Sequence, residues 1–473
     1  MASSITLGII LGNRDFFPDV LITEARRDLA RLLDELSIEP VWLSPDRTKL
    51  GAVETWPDAV KCGEAFRSQR DRIDGILVCL PNFGDEKGIA DAIRLSELQV
   101  PILVQACPDD LDQFGLERRR DAFCGKISAC NNLRQYGMKY SLTRDHAVAI
   151  LDVRFREDLI QFVQTCRVVR GLRRVRIGAV GARPNAFNTT RFSEKLLEAA
   201  GISVNTIDLS EVFGAAATIA SDDARVKQRI EQIRAYADSS EAPDDSLRKM
   251  AKFAIVVDDW MRSLGLAATA IQCWSSMQKN YGVNVCTIMS MMSEQMMPSA
   301  CEVDIAGVVS MYALQLASGK PSALVDWNNN YGSDPDKCVF FHCGNWAKDF
   351  LPDIRIGTAP ILGTMLGEEN TVGALQGRTP AGPLTFGRVS TNDFSGKMTA
   401  YVGNGLFTDD PLNTFGTRAV VKIDRLPRLM QHICRNGFEH HAAMNGSHCA
   451  SAVSEAMGNY LGWDVYHHNG ELS

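Results

Sequence analysis

The stretch Pro298–Gly332, "PSACEVDIAGVVSMYALQLASGKPSALVDWNNNYG", decides the fold, because it sets one acid against an apolar helix and another against an apolar strand. Ile305, Val308, Val309, Tyr312 and Leu316 recur at three-to-four spacing, which predicts an amphipathic helix opened by Glu302 and stopped by Gly319 and Pro321. The following apolar run, Ala323 to Val325, lies between Lys-Pro and Trp-Asn-Asn-Asn. It predicts a buried strand with Asp326 at its carboxyl end. A bland reading stands beside each acid. Ser299-x-x-Glu302 fits a capping box, in which the glutamate only satisfies backbone donors at its own helix start. Asp326 reads equally as a turn residue after a strand.

Working outward, the segment before this stretch alternates strand and helix. The strand Val175–Val180 in "RRVRIGAVGARPNAF" leads to the helix "RFSEKLLEAA", the strand "SVNTIDL", a charged helical region from Asp222 to Asp259, and "LGLAATAIQCW". The first 169 residues repeat the layout with "ITLGIIL", "ITEARRDLARLLDEL", "EPVWL", "GILVCL" and "PILVQA". Such alternation predicts parallel sheets with helices on both faces. Beyond Ala323 the texture changes to Gly, Pro and Thr punctuation around the short strands "CVFFHCG", "PLTFGRVS", "GKMTAYVGNG" and "GTRAVVKI". The expectation is two Rossmann-like α/β domains, 1–169 and 170–318, followed by a β-rich sandwich or barrel, 319–473, closed by a helical tail from Ser447 to Leu461.

Composition narrows the function. The chain has 473 residues, 45% hydrophobic and 23% charged, as expected of a globular protein with several cores. A net charge of −7 supplies no basic footprint for nucleic acid or anionic membrane. No run approaches the ~20 apolar residues of a membrane span. The start, "MASSITLGIILGNRDFFP", lacks a basic leader and reads as a first strand. Thirteen cysteines without a C-x-x-C pair suggest reduced thiols, and hence a cytoplasmic protein. "GAVGAR" lacks the full dinucleotide fingerprint, and neither a P-loop nor a G-x-S-x-G elbow occurs.

Histidine is more informative. Six of the eight (His432, His440, His441, His448, His467 and His468) lie in the last 42 residues, most densely in "NGFEHHAAMNGSH". Clustering of this kind suggests a metal or proton-transfer site, although a solvated loop allows it too. Two acids with histidines form an oxygen-plus-imidazole set suited to Mn²⁺ or Mg²⁺. His342, in "VFFHCGNW", is either a satisfied strand-end residue or a further ligand.

At these residues the chain resembles the L-fucose isomerase and L-arabinose isomerase superfamily, in particular its shorter fucose-isomerase-like members. "CEVD" followed 24 positions later by Asp326 is similar to the fucose-type Glu and Asp metal ligands. "EHHAAMNGSH" is similar to the segment carrying the metal histidine, placed here at His441, with His448 at the fucose-type spacing. A paired His-His and a histidine 16 positions after Asp326 resemble the arabinose type, so His342 is a candidate fourth ligand. The resemblance implies aldose–ketose interconversion with Mn²⁺, or another divalent cation such as Mg²⁺ or Co²⁺. Glu302 and Asp326 would be both ligands and acid/base groups working through a cis-enediol. It implies a homo-oligomer, commonly a hexamer, with sites at subunit interfaces. Arg14 in "GNRDFFP", Trp274, Trp327, Asn328 and His448 are the candidate sugar contacts, and core packing or solvent exposure is the competing reading for each.

The expected substrate is an open-chain (deoxy)sugar of the L-fucose/L-arabinose type, L-fucose, L-arabinose or D-arabinose, with sulfoquinovose as the alternative, for which Arg14, Arg134 and Arg183 sit in suitable loops. A non-catalytic sugar-binding protein built from two α/β lobes is the reading from another class, and an unrelated metal hydrolase is a third.

Overall fold

A computed structural model describes residues 5–470. The chain forms two compact units, one of residues up to Arg170 joined by Glu455–Gly462, the other of Gly171–Ser454 with the segment after Trp463. In the first unit, strands β1 (Ile5–Leu11), β2 (Ile38–Val41), β3 (Gly75–Leu80), β4 (Ile102–Ala106) and β5 (Ser141–Leu142) form one parallel sheet in the order β2-β1-β3-β4-β5. β1 and β3 are buried along their whole length, which is why they read as unbroken apolar runs rather than alternating ones. The helices start where short polar side chains cap them. Thr55 and Asp58 make a reciprocal capping box before Trp56–Ser68, and Asp85 caps Glu86–Ser96.

The second unit holds two sheets. β6 (Arg176–Val180), β7 (Ser203–Ile207), β8 (Ala268–Ile271) and β9 (Ser299–Cys301) are parallel in the order β7-β6-β8-β9. The larger, mixed sheet comprises β10 (Ser322–Asn330), β11 (Lys337–His342), β12 (Arg355–Gly357), β13 (Ala374–Arg378), β14 (Gly382–Asn392), β15 (Lys397–Thr408), β16 (Thr417–Lys422), β17 (His441–Asn445) and β18 (Asp464–His468). Its order is β12-β13-β16-β11-β10-β17-β14-β15-β18, and β15 also pairs with β16, so six strands form a closed circuit of pairings. One apolar core runs from Val180 to Met444 and contains Phe253, Trp346, Phe386 and Tyr401.

Three local expectations need correction. The helix after β9 is Ile305–Ser318, and its cap is Asp304, which accepts from the Gly307 amide. Glu302 therefore lies before the helix, and Ser299, inside β9, caps nothing. A Cβ on Gly307 would stand 2.5 Å from the Asp304 carboxylate, so the capping geometry requires glycine there. Second, β10 continues through Asn330, which places Asp326 mid-strand, paired with both Phe341 and His441. Pairing of Asn329 and Asn330 with Val339 and Cys338 of β11 overrides the turn propensity of three successive asparagines. Third, the tail helix ends at Glu455, a further helical turn covers Ala456–Tyr460, and Glu455–Gly462 belongs to the first unit. There the Tyr460 hydroxyl bonds Ile102 and Ser141. An additional strand, β18, follows where none was expected. No helix among the described residues is long and apolar enough to cross a membrane.

Candidate active site

Open parallel sheets offer ligands the crevice beyond the carboxyl ends of their strands. In the second unit the segments leaving β6, β8 and β9 carry Phe187, Trp274 and Glu302. Phe187 packs edge-on against Trp274 with ring centroids 5.1 Å apart, and lies 5.4 Å from His440 and 6.1 Å from His441. Glu302 and Val303 both have φ near 55°, a left-handed turn that a β-branched residue rarely adopts and that costs about 1–3 kcal/mol per residue. This turn reverses the chain between β9 and its helix, and leaves the Glu302 side chain buried at 4% exposure.

The two oxygens of Glu302 have different surroundings. Oε1 accepts from Trp274 Nε1 at 2.9 Å and from the Cys273 thiol at 3.4 Å. Oε2 is buried without a hydrogen-bond partner, 3.8 Å from His342 Nε2 and 3.7 Å from His441 Nε2. Burial pushes this carboxyl above its ordinary range, while the charges of His342 and His441 pull the other way. Asp326 is partly open, its Oδ1 3.4 Å from Nε2 of both His440 and His441. Burial and then the His441 charge bring His440 down to about 4, so it remains a neutral ring beside Asp326.

His441 is held from behind. Its Nδ1 donates to Asp304 Oδ2 at 2.8 Å, which orients the ring so that its neutral form presents the Nε2 lone pair to the site. Asp304, fully buried, also accepts two bonds from Arg388, at 2.5 and 2.9 Å. Arg388 in turn donates to Glu439 at 3.1 Å, and Ser390 donates to the other Glu439 oxygen at 2.8 Å. Burial alone would raise the Asp304 carboxyl, but Arg388 and His441 hold it well below the usual carboxylate range. His342 differs from His441. Its Nδ1 accepts the Cys343 amide at 3.0 Å, so the bonding network assigns the proton of the neutral ring to Nε2.

Glu302, Asp326, His441 and His342 thus converge from four chain segments. Trp274 touches this group directly. Trp327 lies on the next position of the pleat, its indole donating to Tyr401 at 2.9 Å and its ring set edge-on against Phe340 and Phe386. Asn328 is exposed at a register shift in β10, and His448 bonds the Gly405 carbonyl at 3.0 Å. Arg14, in the first unit, donates to the Gly84 carbonyl at 3.0 Å, pairs with Glu86 and lies over the Phe83 ring. Arg183 donates to carbonyls of its own loop, Pro184 and Asn185.

The residues present fit a hard divalent cation. Glu302, His342 and His441 have ligand atoms within 4.8 Å of one another, as do Asp326, His440 and His441. The partnerless Glu302 oxygen is the strongest sign, because an unpaired buried carboxylate oxygen is costly unless something positive meets it.

Residues 8–173 match the N-terminal domain profile of fucose/sulfoquinovose isomerases, and residues 340–468 match the C-terminal domain profile of L-fucose isomerase. The chain belongs to the fucose/sulfoquinovose isomerase family. Curated relatives include a sulfoquinovose isomerase of Priestia aryabhattai, 24% identical over 429 residues, covering 88% of this chain and 91% of the relative. Another, from Alkalicoccus urumqiensis, is 24% identical over 379 residues, covering 78% and 81%. Membership makes the chain an aldose–ketose isomerase. Asp304, Arg388, Glu439 and Phe187 went unnoticed in the sequence. The second acid of "CEVD" and the acid that opens "EHHAAMNGSH" were the signals for Asp304 and Glu439.

Proposed function

We propose that this isomerase acts on the open-chain form of sulfoquinovose, giving the corresponding ketose, with a divalent cation, Mn²⁺ foremost, held by Glu302, Asp326 and His441. The observation that carries the site is the buried, partnerless Glu302 Oε2 facing two imidazoles and, past His441, Asp326. The substrate follows from the sulfoquinovose isomerases that this chain matches over most of its length. His342 is the less suited fourth ligand, because its Nε2 carries the proton in the tautomer its neighbours select.

A bound divalent cation supplies Lewis acidity to the sugar carbonyl. The protein's own part is proton transfer between C1 and C2, which needs an acid/base group on each side of the reacting carbons. Glu302 serves as one. Its raised pKa suits a base that must later return its proton. Asp326, more open to solvent, serves as the other. Trp274 holds Glu302 by Oε1 and so directs Oε2 inward. Phe187 keeps water from the imidazole side. Asn328, His448 and Trp327 are proposed sugar contacts, and Arg14 is proposed to act from a neighbouring subunit of a cytoplasmic hexamer. We further infer that the domains divide at 169 and 318, the first two Rossmann-like, and that the β15–β16 pairing closes the third into a barrel.

The test is an NMR assay of C2-proton exchange and ketose formation with chelator-stripped protein, with and without Mn²⁺, across sulfoquinovose, L-fucose, L-arabinose and D-arabinose. Mn²⁺-dependent conversion of sulfoquinovose, reduced about 10²–10⁴-fold in Glu302→Gln, is expected. Conversion of a neutral sugar alone would overturn the substrate assignment. Sugar binding without turnover of any of the four would favour the non-catalytic reading.

A further inference from the structure

Behind the carboxylates lies a second convergence of ligand atoms, of a different chemical kind. Cys286 opens the helix Cys286–Glu294, Cys301 ends β9, and Cys343 follows β11. The three sulfurs lie within 4.8 Å of one another. Among the described residues no other three cysteines meet this way, although all thirteen are free thiols. A tetrahedral zinc site with metal–sulfur bonds of about 2.3 Å has sulfurs about 3.8 Å apart, so the trio needs only a small contraction to close on an ion. Cys286 and Cys301 are buried, and Cys343 is partly exposed. Asn284 Oδ1, 3.0 Å from the Cys286 sulfur, is an oxygen at hand for the fourth position, and its Nδ2 is buried without a partner.

We propose that Cys286, Cys301 and Cys343 form a second metal site, selective for a thiophilic cation such as Zn²⁺ and adjoining the oxygen-and-imidazole site, since Cys301 also lies within 4.8 Å of Cys273 and Glu302 ligand atoms. Ligand softness sorts the two: thiolates take Zn²⁺ or Co²⁺ in tetrahedral geometry, whereas the carboxylate set suits Mn²⁺ or Mg²⁺. The sites are joined through the backbone, since Cys301 precedes Glu302 and Cys343 follows His342. Filling the thiolate site therefore tightens both chain segments that carry those side chains.

The probe is Co²⁺, whose tetrahedral thiolate complexes show an intense ligand-to-metal charge-transfer band that carboxylate and imidazole ligands do not give. Metal-stripped, reduced full-length protein is titrated with Co²⁺ as wild type, Glu302→Gln, Cys286→Ser and Cys343→Ser. The band should saturate by two equivalents in wild type, since the carboxylate site also takes Co²⁺, persist in Glu302→Gln, disappear in both cysteine variants, and be displaced by Zn²⁺. The wild-type titration decides even if a cysteine variant fails to fold: weak ligand-field bands without charge transfer overturn the site. So does a band that survives Cys286→Ser.

Discussion

Glu302 and Asp304 are two residues apart and both buried, yet the fold treats them oppositely. Asp304 is saturated: Gly307, Arg388 and His441 all bond its oxygens, and its charge is held on at any physiological pH. Glu302 keeps one oxygen without a partner, and burial resists its ionisation. One acid is spent on holding a histidine, and the other is left available. The left-handed turn at Glu302 and Val303 is what divides them, because it sends the first side chain toward the imidazoles and sets the second at the helix start.

The sharpest way to break this contrast is Asp304→Asn. It takes the bidentate carboxylate from buried Arg388, leaving only Glu439 to balance it, and releases His441, so denaturant unfolding should show a loss of about 3–5 kcal/mol. Glu302→Gln should go the other way. In chelator-treated protein it removes an uncompensated buried charge, and a gain of about 1–3 kcal/mol over chelator-treated wild type is expected at neutral pH. A destabilised Glu302→Gln would mean that Oε2 has a protein partner after all.

The pH dependence carries the same signs. The folded pKa of Glu302 is raised, so its contribution is present below the ordinary value of about 4.3 and is lost as pH rises through the folded pKa. The stability gap between metal-free wild type and Glu302→Gln should open across that window and stay level above it. Asp304 is lowered, so its contribution is present above about 3.9 and is lost only as pH falls through its folded pKa. The smallest effect expected is that of Trp274→Phe, which deletes the one indole donor to Glu302 Oε1. A fall in kcat of about tenfold, equivalent to ~1.4 kcal/mol, is expected with the fold intact by circular dichroism.

The same contrast explains what the sequence disclosed. Buried parallel strands announce themselves as apolar runs, and β1, β3 and β4 were legible for that reason, whereas the short β5 and β9 went unread. The acids and the late histidines stood out by residue type and spacing. Asp304 did not, because Ser299-x-x-Glu302 imitates a cap and the true cap depends on two left-handed residues that no propensity foretells. Arg388 and Glu439 are 84 and 135 positions from Asp304, and nothing local links them. Asp326 was found, but its strand was cut short, since what extends β10 past it is pairing with β11 rather than its own asparagines.

The register shift between Trp327 and Asn329 has a bearing on how this chain can change length over generations. Alternation along β10 puts Asp326 beside His441 and sends Trp327 to Tyr401. A codon lost after the shift would be absorbed by straightening an already irregular segment. One lost between Ser322 and Asp326 would exchange the two faces and drive the carboxylate into the packed interior. Insertions and deletions in descendants of this chain should accordingly collect downstream of Trp327 and spare the four residues that lead up to Asp326.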